Sequence, residues 1–144
     1  GITHAIHTGS NKEGLELTIK ALDGSLDLEK IKYEGVNITD ADREIIFTNL
    51  VDTDMLFGHR NNAKGYGEAI EEIDDYLEKI LPLIGENDLL IVTADHGCDP
   101  TVPGTDHTRE QVPVLYYSKN IEPKDLGLTL GFDSISERVS DWLF

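Results

Sequence analysis

The strongest constraint on the fold is a short, almost uninterrupted apolar run, DLLIVTAD at residues 88–95. A strand with apolar side chains on both faces is typical of a parallel sheet that helices cover on each side. A second run, VPVLYYS at residues 112–118, predicts another strand of the same kind. Helical patterns alternate with these runs, so we expect an α/β fold, a layered (three-layer) sandwich with a mostly parallel sheet.

The other elements are predicted from the spacing of apolar residues and from caps. The longest pattern has apolar residues every three or four positions from Lys64, and Pro82 must lie near its C-terminal end because an interior proline breaks a helix. Helices are predicted at residues 11–22 (with an Asn cap), 64–84 and 133–143. Further strands are predicted at residues 2–6 and 44–52, with loops around a short strand near Ile31 in residues 23–42.

Charge and composition restrict the class of partner. The 144 residues suffice for one domain, and 28 acidic against 12 basic residues give a net charge of −16. Such a charge repels nucleic acid and anionic membranes, which we exclude as partners. No run of eighteen apolar residues or signal peptide is present, and the single cysteine, Cys98, favours a reducing compartment. The chain lacks an initiator Met, which suggests one piece of a longer protein.

Acidic and histidine residues follow two of the predicted strands, in LVDTDMLFGHR and in TADHG. In open α/β sheets, ligands bind outside the carboxyl ends of the strands. We therefore expect convergence of five side chains: Asp54, His59, Asp95, His96 and His107. Imidazole combined with carboxylate suits zinc, manganese or iron. Five ligands fit two cations that each lack further partners.

Several neighbouring residues have two readings. Arg60 and Arg109 flank the predicted ligands and could contact a phosphate or pair with surface carboxylates. Asp52 could cap a strand end and Asp106 could orient His107, but ordinary loop roles are the preferred interpretation for both. For Cys98, a small buried filler is the preferred interpretation.

The motifs carry a family resemblance. NLVDTDMLFGHR, TADHG and DPTVPGTDHTREQVPVL resemble the C-terminal metal-binding part of the phosphopentomutase family, within the alkaline-phosphatase superfamily. The resemblance is strongest over residues 44–117. Cofactor-independent phosphoglycerate mutases share a TADHG-type motif, but GTDHTRE and the following VPVL are more similar to phosphopentomutase.

This resemblance implies a two-metal centre, usually with manganese, that holds a phosphorylated threonine. By position, Asp54, His59 and His107 would bind one cation, and Asp95 with His96 the other. The family interconverts ribose 1-phosphate and ribose 5-phosphate, or the deoxy forms. Two cations would also let an acidic protein bind a phosphate ester, because they reverse the local charge.

One departure from the family is large. Its nucleophilic threonine and first aspartate ligand belong to an N-terminal core segment, which a cap domain follows, and neither region is recognised here. Four threonines lie near the motifs, but none is at the family's position: Thr93, Thr101, Thr105 and Thr108. We therefore expect residues 1–144 to be the C-terminal portion of an alkaline-phosphatase-like core domain, inactive alone, from a cytoplasmic enzyme. The alternatives are a cofactor-independent phosphoglycerate mutase or another metal-dependent phosphoesterase of the superfamily, and, in a different class, a non-catalytic acidic binding module.

Overall fold

A computed structural model describes residues 2–31 and 43–144. Its helices are α1 (Asn11–Leu22), α2 (Ala63–Ile80) and α3 (Asp133–Leu143), and its strands are β1 (Leu90–Thr93) and β2 (Val114–Tyr117). Short 3₁₀ turns lie at Leu28–Lys30, Gly58–Arg60 and Leu81–Leu83, and one π-helical turn at Thr53–Phe57. No helix in these described ranges combines the length and apolar character needed to cross a bilayer.

Side chains cap the N-termini of α1 and α2, whereas α3 has no side-chain cap. Ser10, rather than Asn11, caps α1, since its hydroxyl accepts a hydrogen bond of 3.2 Å from the amide of Glu13. The side chain of Asn62 caps α2 by accepting from the amide of Gly65 at 3.0 Å. Helix α2 ends at Ile80, directly before the 3₁₀ turn that contains Pro82, as the proline predicts.

The apolar core lies between α1 and α2. Its buried members are Leu15, Tyr76, Ile80 and Ile84, and partly buried side chains pack around them: Ile19, Leu22, Leu50, Ile73 and Leu90. Burial of one such aliphatic side chain contributes about 1.5–3 kcal/mol. Through Leu50 and Leu90, this core supports the two segments that lead to the predicted ligands.

The two described strands pair in antiparallel fashion, with Leu90 opposite Tyr117 and Thr93 opposite Val114. The mostly parallel sheet expected from the apolar runs is not found within residues 2–31 and 43–144. A parallel neighbour needs a crossover connection, usually a helix, whereas the chain between β1 and β2 simply reverses direction. Both strands are also shorter than predicted.

The strand predicted at residues 44–52 does not form. Its backbone joins no ladder with the described residues, and Ile45 and Phe47 remain 65% and 87% exposed. An apolar run becomes a strand only where another strand accepts its backbone hydrogen bonds. Instead, the segment passes beside α1, where the hydroxyls of Thr48 and Thr18 lie 2.6 Å apart.

The strand predicted at residues 2–6 is reduced to an isolated bridge at His4. Nearby, the amide of Ala5 donates to the carbonyl of Ile31 at 3.3 Å. Ile31 itself lies in a turn, and the rest of the strand predicted around it falls outside the described residues.

Candidate metal centre

The first predicted ligand, Asp54, lies on the π-helical turn that follows Leu50. Asp52, just before this turn, is anchored to the start of α1: its carboxylate accepts from the amide of Asn11 at 2.7 Å, and its own amide donates to the Asn11 side chain at 2.9 Å. The turn that carries Asp54 is therefore joined to α1 by two hydrogen bonds.

His59 follows on the next 3₁₀ turn, with its Nε2 3.4 Å from Asp54 Oδ2. Its Nδ1 makes a short contact with the carbonyl oxygen of Thr105. This contact fixes the ring, because a histidine held at one nitrogen presents the other to a ligand. Gly58 is required beside it, since a Cβ there would overlap Cys98 Sγ.

His96 and His107 come together through a backbone reversal. After β1, Gly97 and Thr108 form an isolated antiparallel bridge, in which the Thr108 amide donates to the Gly97 carbonyl at 3.2 Å. The rings of His96 and His107 then stack with their centroids 3.7 Å apart. His107 Nε2 lies 3.2 Å from Asp54 Oδ1.

These contacts assemble three of the five predicted ligands most closely. Asp54, His96 and His107 each offer one ligand atom, and these atoms all lie within 4.8 Å of one another. Asp54 Oδ1 is buried but makes no hydrogen bond of acceptable geometry. A buried carboxylate oxygen without a hydrogen bond is costly unless a cation or water satisfies it. The donor set, one carboxylate with imidazoles, therefore fits a divalent cation of the borderline class.

The other two predicted ligands lie at the margin of this group. His59 approaches the second oxygen of Asp54, and its ring centroid is 4.9 Å from that of His107. The Asp95 side chain is 83% exposed, with its Oδ1 3.6 Å from His96 Nε2. All five residues thus occupy one region, with Asp95 the most exposed to solvent.

Negative charge accumulates around the group. Burial raises the pKa of the Cys98 thiol, and the carboxylates of Asp54 and Glu110 raise that pKa further. Burial also raises the pKa of the Tyr66 hydroxyl, and the nearby Cys98 and Asp54 raise that pKa further. Bound divalent cations would compensate this charge.

Two residues beside the group were not predicted to support it. Asn61 adopts a left-handed conformation and donates to the carbonyl of Val102 at 2.8 Å. The Sγ of Cys98, interpreted as a filler, lies against Gly58, where an added Cβ would overlap it. A cysteine after DHG and an asparagine after GHR carry no pattern of their own, so only the folded chain reveals these contacts.

Comparison with known proteins identifies related sequences. Residues 12–142 match the metalloenzyme superfamily. The chain is 45% identical over 142 residues to a phosphopentomutase of Caldanaerobacter subterraneus subsp. tengcongensis, covering 98% of this chain and 32% of the relative. It is 44% identical over 142 residues to a phosphopentomutase of Anaeromyxobacter sp. strain K, covering 99% and 32%. A phosphopentomutase of Pseudoalteromonas translucida is 52% identical over 101 residues, covering 70% and 25%.

The chain spans about a third of the length of the first two curated relatives. The match extends from the start of α1 nearly to the end of α3, and so includes both segments that carry the candidate ligands. It supports the α/β class and implies divalent metal ions. The resemblance to phosphopentomutase is therefore confirmed, and the chain belongs to the metalloenzyme superfamily.

Proposed function

We propose that residues 1–144 are the C-terminal portion of the core domain of a phosphopentomutase. The complete enzyme would interconvert ribose 1-phosphate and ribose 5-phosphate, or the deoxy forms, in pentose-phosphate and nucleoside metabolism. The observation that carries this proposal is the 45% identity, over 142 residues, to a relative named phosphopentomutase. The grouping of Asp54, His96 and His107 supports it.

The proposed cations are two Mn²⁺ ions, and their proposed ligands are the five predicted residues: Asp54, His59, Asp95, His96 and His107. When bound, such cations neutralise the charge on a transferring phosphoryl group. Asp54 is central to the arrangement because its two oxygens face different imidazoles, His107 at 3.2 Å and His59 at 3.4 Å. One carboxylate could thus contribute to both sides of the centre.

The nucleophile is proposed to be a threonine outside these 144 residues. Three nearby threonine hydroxyls already donate hydrogen bonds: Thr93 to the carbonyl of Pro113, Thr101 to Asp99 and Thr108 to Glu110. None of these threonines is at the position of the family's nucleophile, which the resemblance places in an N-terminal core segment. We therefore expect the isolated chain to be inactive.

The polypeptide that supplies the threonine is proposed to cover the exposed apolar surface. Ile45 and Phe47 are 65% and 87% exposed, in a run whose pattern predicts a buried strand. About two thirds of the length of these relatives lies outside the matched region. A strand from that region, paired with residues 44–52, would restore the parallel sheet expected from the sequence.

The lone Cys98 supports a cytoplasmic location.

A chimeric enzyme tests the proposal. The N-terminal two thirds of the Caldanaerobacter relative would be joined to this chain and assayed, with Mn²⁺, for phosphoryl migration between C1 and C5 of ribose. We expect activity in the chimera and none in the 144-residue chain. The chimera with Asp54→Asn should lose activity, whereas the chimera with Asn120→Ala, changed far from the centre, should keep it.

Other outcomes would favour other functions. A folded chimera that binds Mn²⁺ and hydrolyses phosphate esters without isomerising ribose phosphates would indicate a phosphoesterase instead. A 144-residue chain that binds no divalent cation, together with an inactive chimera, would favour the non-catalytic acidic binding module.

A further inference from the structure

We propose that Asn61 is a positioning residue that holds the loop of residues 99–107 against the turn carrying His59. This inference rests on the proposed metal centre, because its functional consequence is the placement of His107 beside Asp54. Asn61 is exposed and contacts no candidate ligand through its side chain.

The backbone at Asn61 is unusual. With φ 49° and ψ 34°, it is the one non-glycine residue of positive φ within residues 2–31 and 43–144. Asparagine tolerates this left-handed conformation better than most residues with a Cβ. The conformation ends the 3₁₀ turn, where the Asn61 amide donates to the carbonyl of Gly58 at 3.1 Å. As a result, the side chain leaves the turn toward the loop.

Its side-chain amide then donates to two loop carbonyls, to Val102 at 2.8 Å and to Pro100 at 3.4 Å. Two residues earlier, the His59 ring contacts the Thr105 carbonyl in the same loop. The loop ends at His107, whose Nε2 lies 3.2 Å from Asp54 Oδ1. Two residues of one turn thus hold the loop on both sides of residues 103–104, Asn61 before them and His59 after them.

The loop's own hydrogen bonds serve a different purpose. Asp99 accepts from the amide of Thr101 at 2.8 Å, and the bridge between Gly97 and Thr108 closes the base. These bonds order the loop internally but do not set its position relative to Asp54. Fixing that position costs conformational entropy, which the Asn61 hydrogen bonds offset. Without them, a smaller fraction of molecules would have the ligands assembled, and cation affinity would fall by that fraction.

The test compares matched variants of the 144-residue chain. Asn61→Gly keeps the left-handed backbone and removes the amide, while Asn61→Ser is a second variant whose side chain is too short to reach the loop. Asn120→Ala is the control: it deletes an equivalent hydrogen bond, from Asn120 to the carbonyl of Glu86 at 2.6 Å. That bond lies near the Leu90–Tyr117 end of the strand pair, opposite the end that leads to the centre.

Two measurements are made, Mn²⁺ affinity by calorimetry and, without metal, the nuclear Overhauser effect between the rings of His59 and His107. We expect Asn61→Gly and Asn61→Ser to weaken Mn²⁺ binding by about two- to tenfold, the effect of one or two exposed hydrogen bonds. The Overhauser effect between rings 4.9 Å apart should weaken too. Asn120→Ala should change neither quantity, and Asn61→Gly, which tolerates the left-handed backbone, should leave the thermal midpoint close to that of the wild type.

The outcomes separate this inference from the proposed function. If both Asn61 variants retain wild-type affinity and ring proximity while His107→Ala loses affinity, the positioning role is overturned and the metal centre stands. If the wild-type chain binds no Mn²⁺ but the Asn61 variants lose ring proximity, the positioning role stands and the metal centre fails.

Discussion

Asn11 and Asp52 exchange two hydrogen bonds across 41 residues of sequence, and Asn11 is the most deeply buried side chain described, at 1% exposure. The pair joins the first turn of α1 to the segment that carries Asp54. The side-chain oxygen of Asn11 satisfies the Asp52 amide, while the Asn11 Nδ2 atom is buried without a hydrogen-bond partner among the described residues.

Asn11→Ala should lower the free energy of unfolding by about 1–2 kcal/mol, because the Asp52 amide loses its acceptor. Denaturant unfolding measures this loss. Lys12→Ala, at the next position of α1, is the control, since its ion pair with Glu16 is exposed and 3.9 Å long. An equal effect of the two substitutions would contradict the role assigned to Asn11.

Asp54→Asn should weaken Mn²⁺ binding by more than about 100-fold, because loss of a ligand exceeds the 10- to 100-fold effect typical of residues that support ligands. Asp95→Asn should weaken binding by less in the 144-residue chain, since the Asp95 side chain is 83% exposed and at the margin of the group. Calorimetric titration of both variants gives the comparison. Equal losses would mean that Asp95 is as central as Asp54.

Gly58→Ala should destabilise the chain by about 1–3 kcal/mol, because the added methyl group overlaps Cys98 Sγ. Cys98→Ala should rescue most of that loss in the double variant. The rescue would be incomplete, since the carbonyl oxygen of Thr53 would still lie 3.2 Å from the new Cβ. A double-mutant cycle with a coupling energy above about 0.5 kcal/mol supports direct contact, and strictly additive effects would exclude it.

Tyr76 predicts a loss of stability at alkaline pH. Burial, followed by its hydrogen bond to Glu16, raises the pKa of Tyr76 above its usual value near 10. The stability that the protonated Tyr76 hydroxyl contributes is therefore complete below its unfolded-state pKa and is lost as pH rises through its folded-state pKa. Unfolding measured between about pH 8 and 11 should show a steeper decline for the wild type than for Tyr76→Phe. Tyr117→Phe, which removes an exposed hydroxyl, should leave the wild-type slope unchanged.

Local patterns predicted the helices well. Helix α1 begins and ends where its apolar spacing indicates, whereas α2 ends at Ile80, four residues before its predicted end, because the chain tightens into a 3₁₀ turn at Pro82. Caps and period are local properties, so a single sequence contains the information. Tyr76 was not among the predicted core positions, although it is only 9% exposed, because its hydroxyl needed a partner that the fold supplies through Glu16.

The strands depended on information that local sequence lacks. The run at residues 44–52 is apolar enough for a strand, but it has no partner among the described residues. Antiparallel pairing of β1 with β2 follows from how residues 94–113 reverse, which the apolar runs do not encode. Three of the five candidate residues, Asp54, His96 and His107, nevertheless lie close together, and their role as metal ligands stays a prediction. The stacking of His96 on His107 was not foreseen, since the Gly97–Thr108 bridge creates it.

The Gly97–Thr108 bridge closes residues 98–107 into a ring, with His96 directly before Gly97 and His107 directly before Thr108. Lengthening such a ring costs little, since doubling its size adds only about 0.6 kcal/mol of closure entropy. Insertions near Gly104, where φ is +118°, would therefore enlarge the ring without separating the histidines. The part of the ring away from the bridge can therefore vary in length and shape while His96 and His107 stay next to each other.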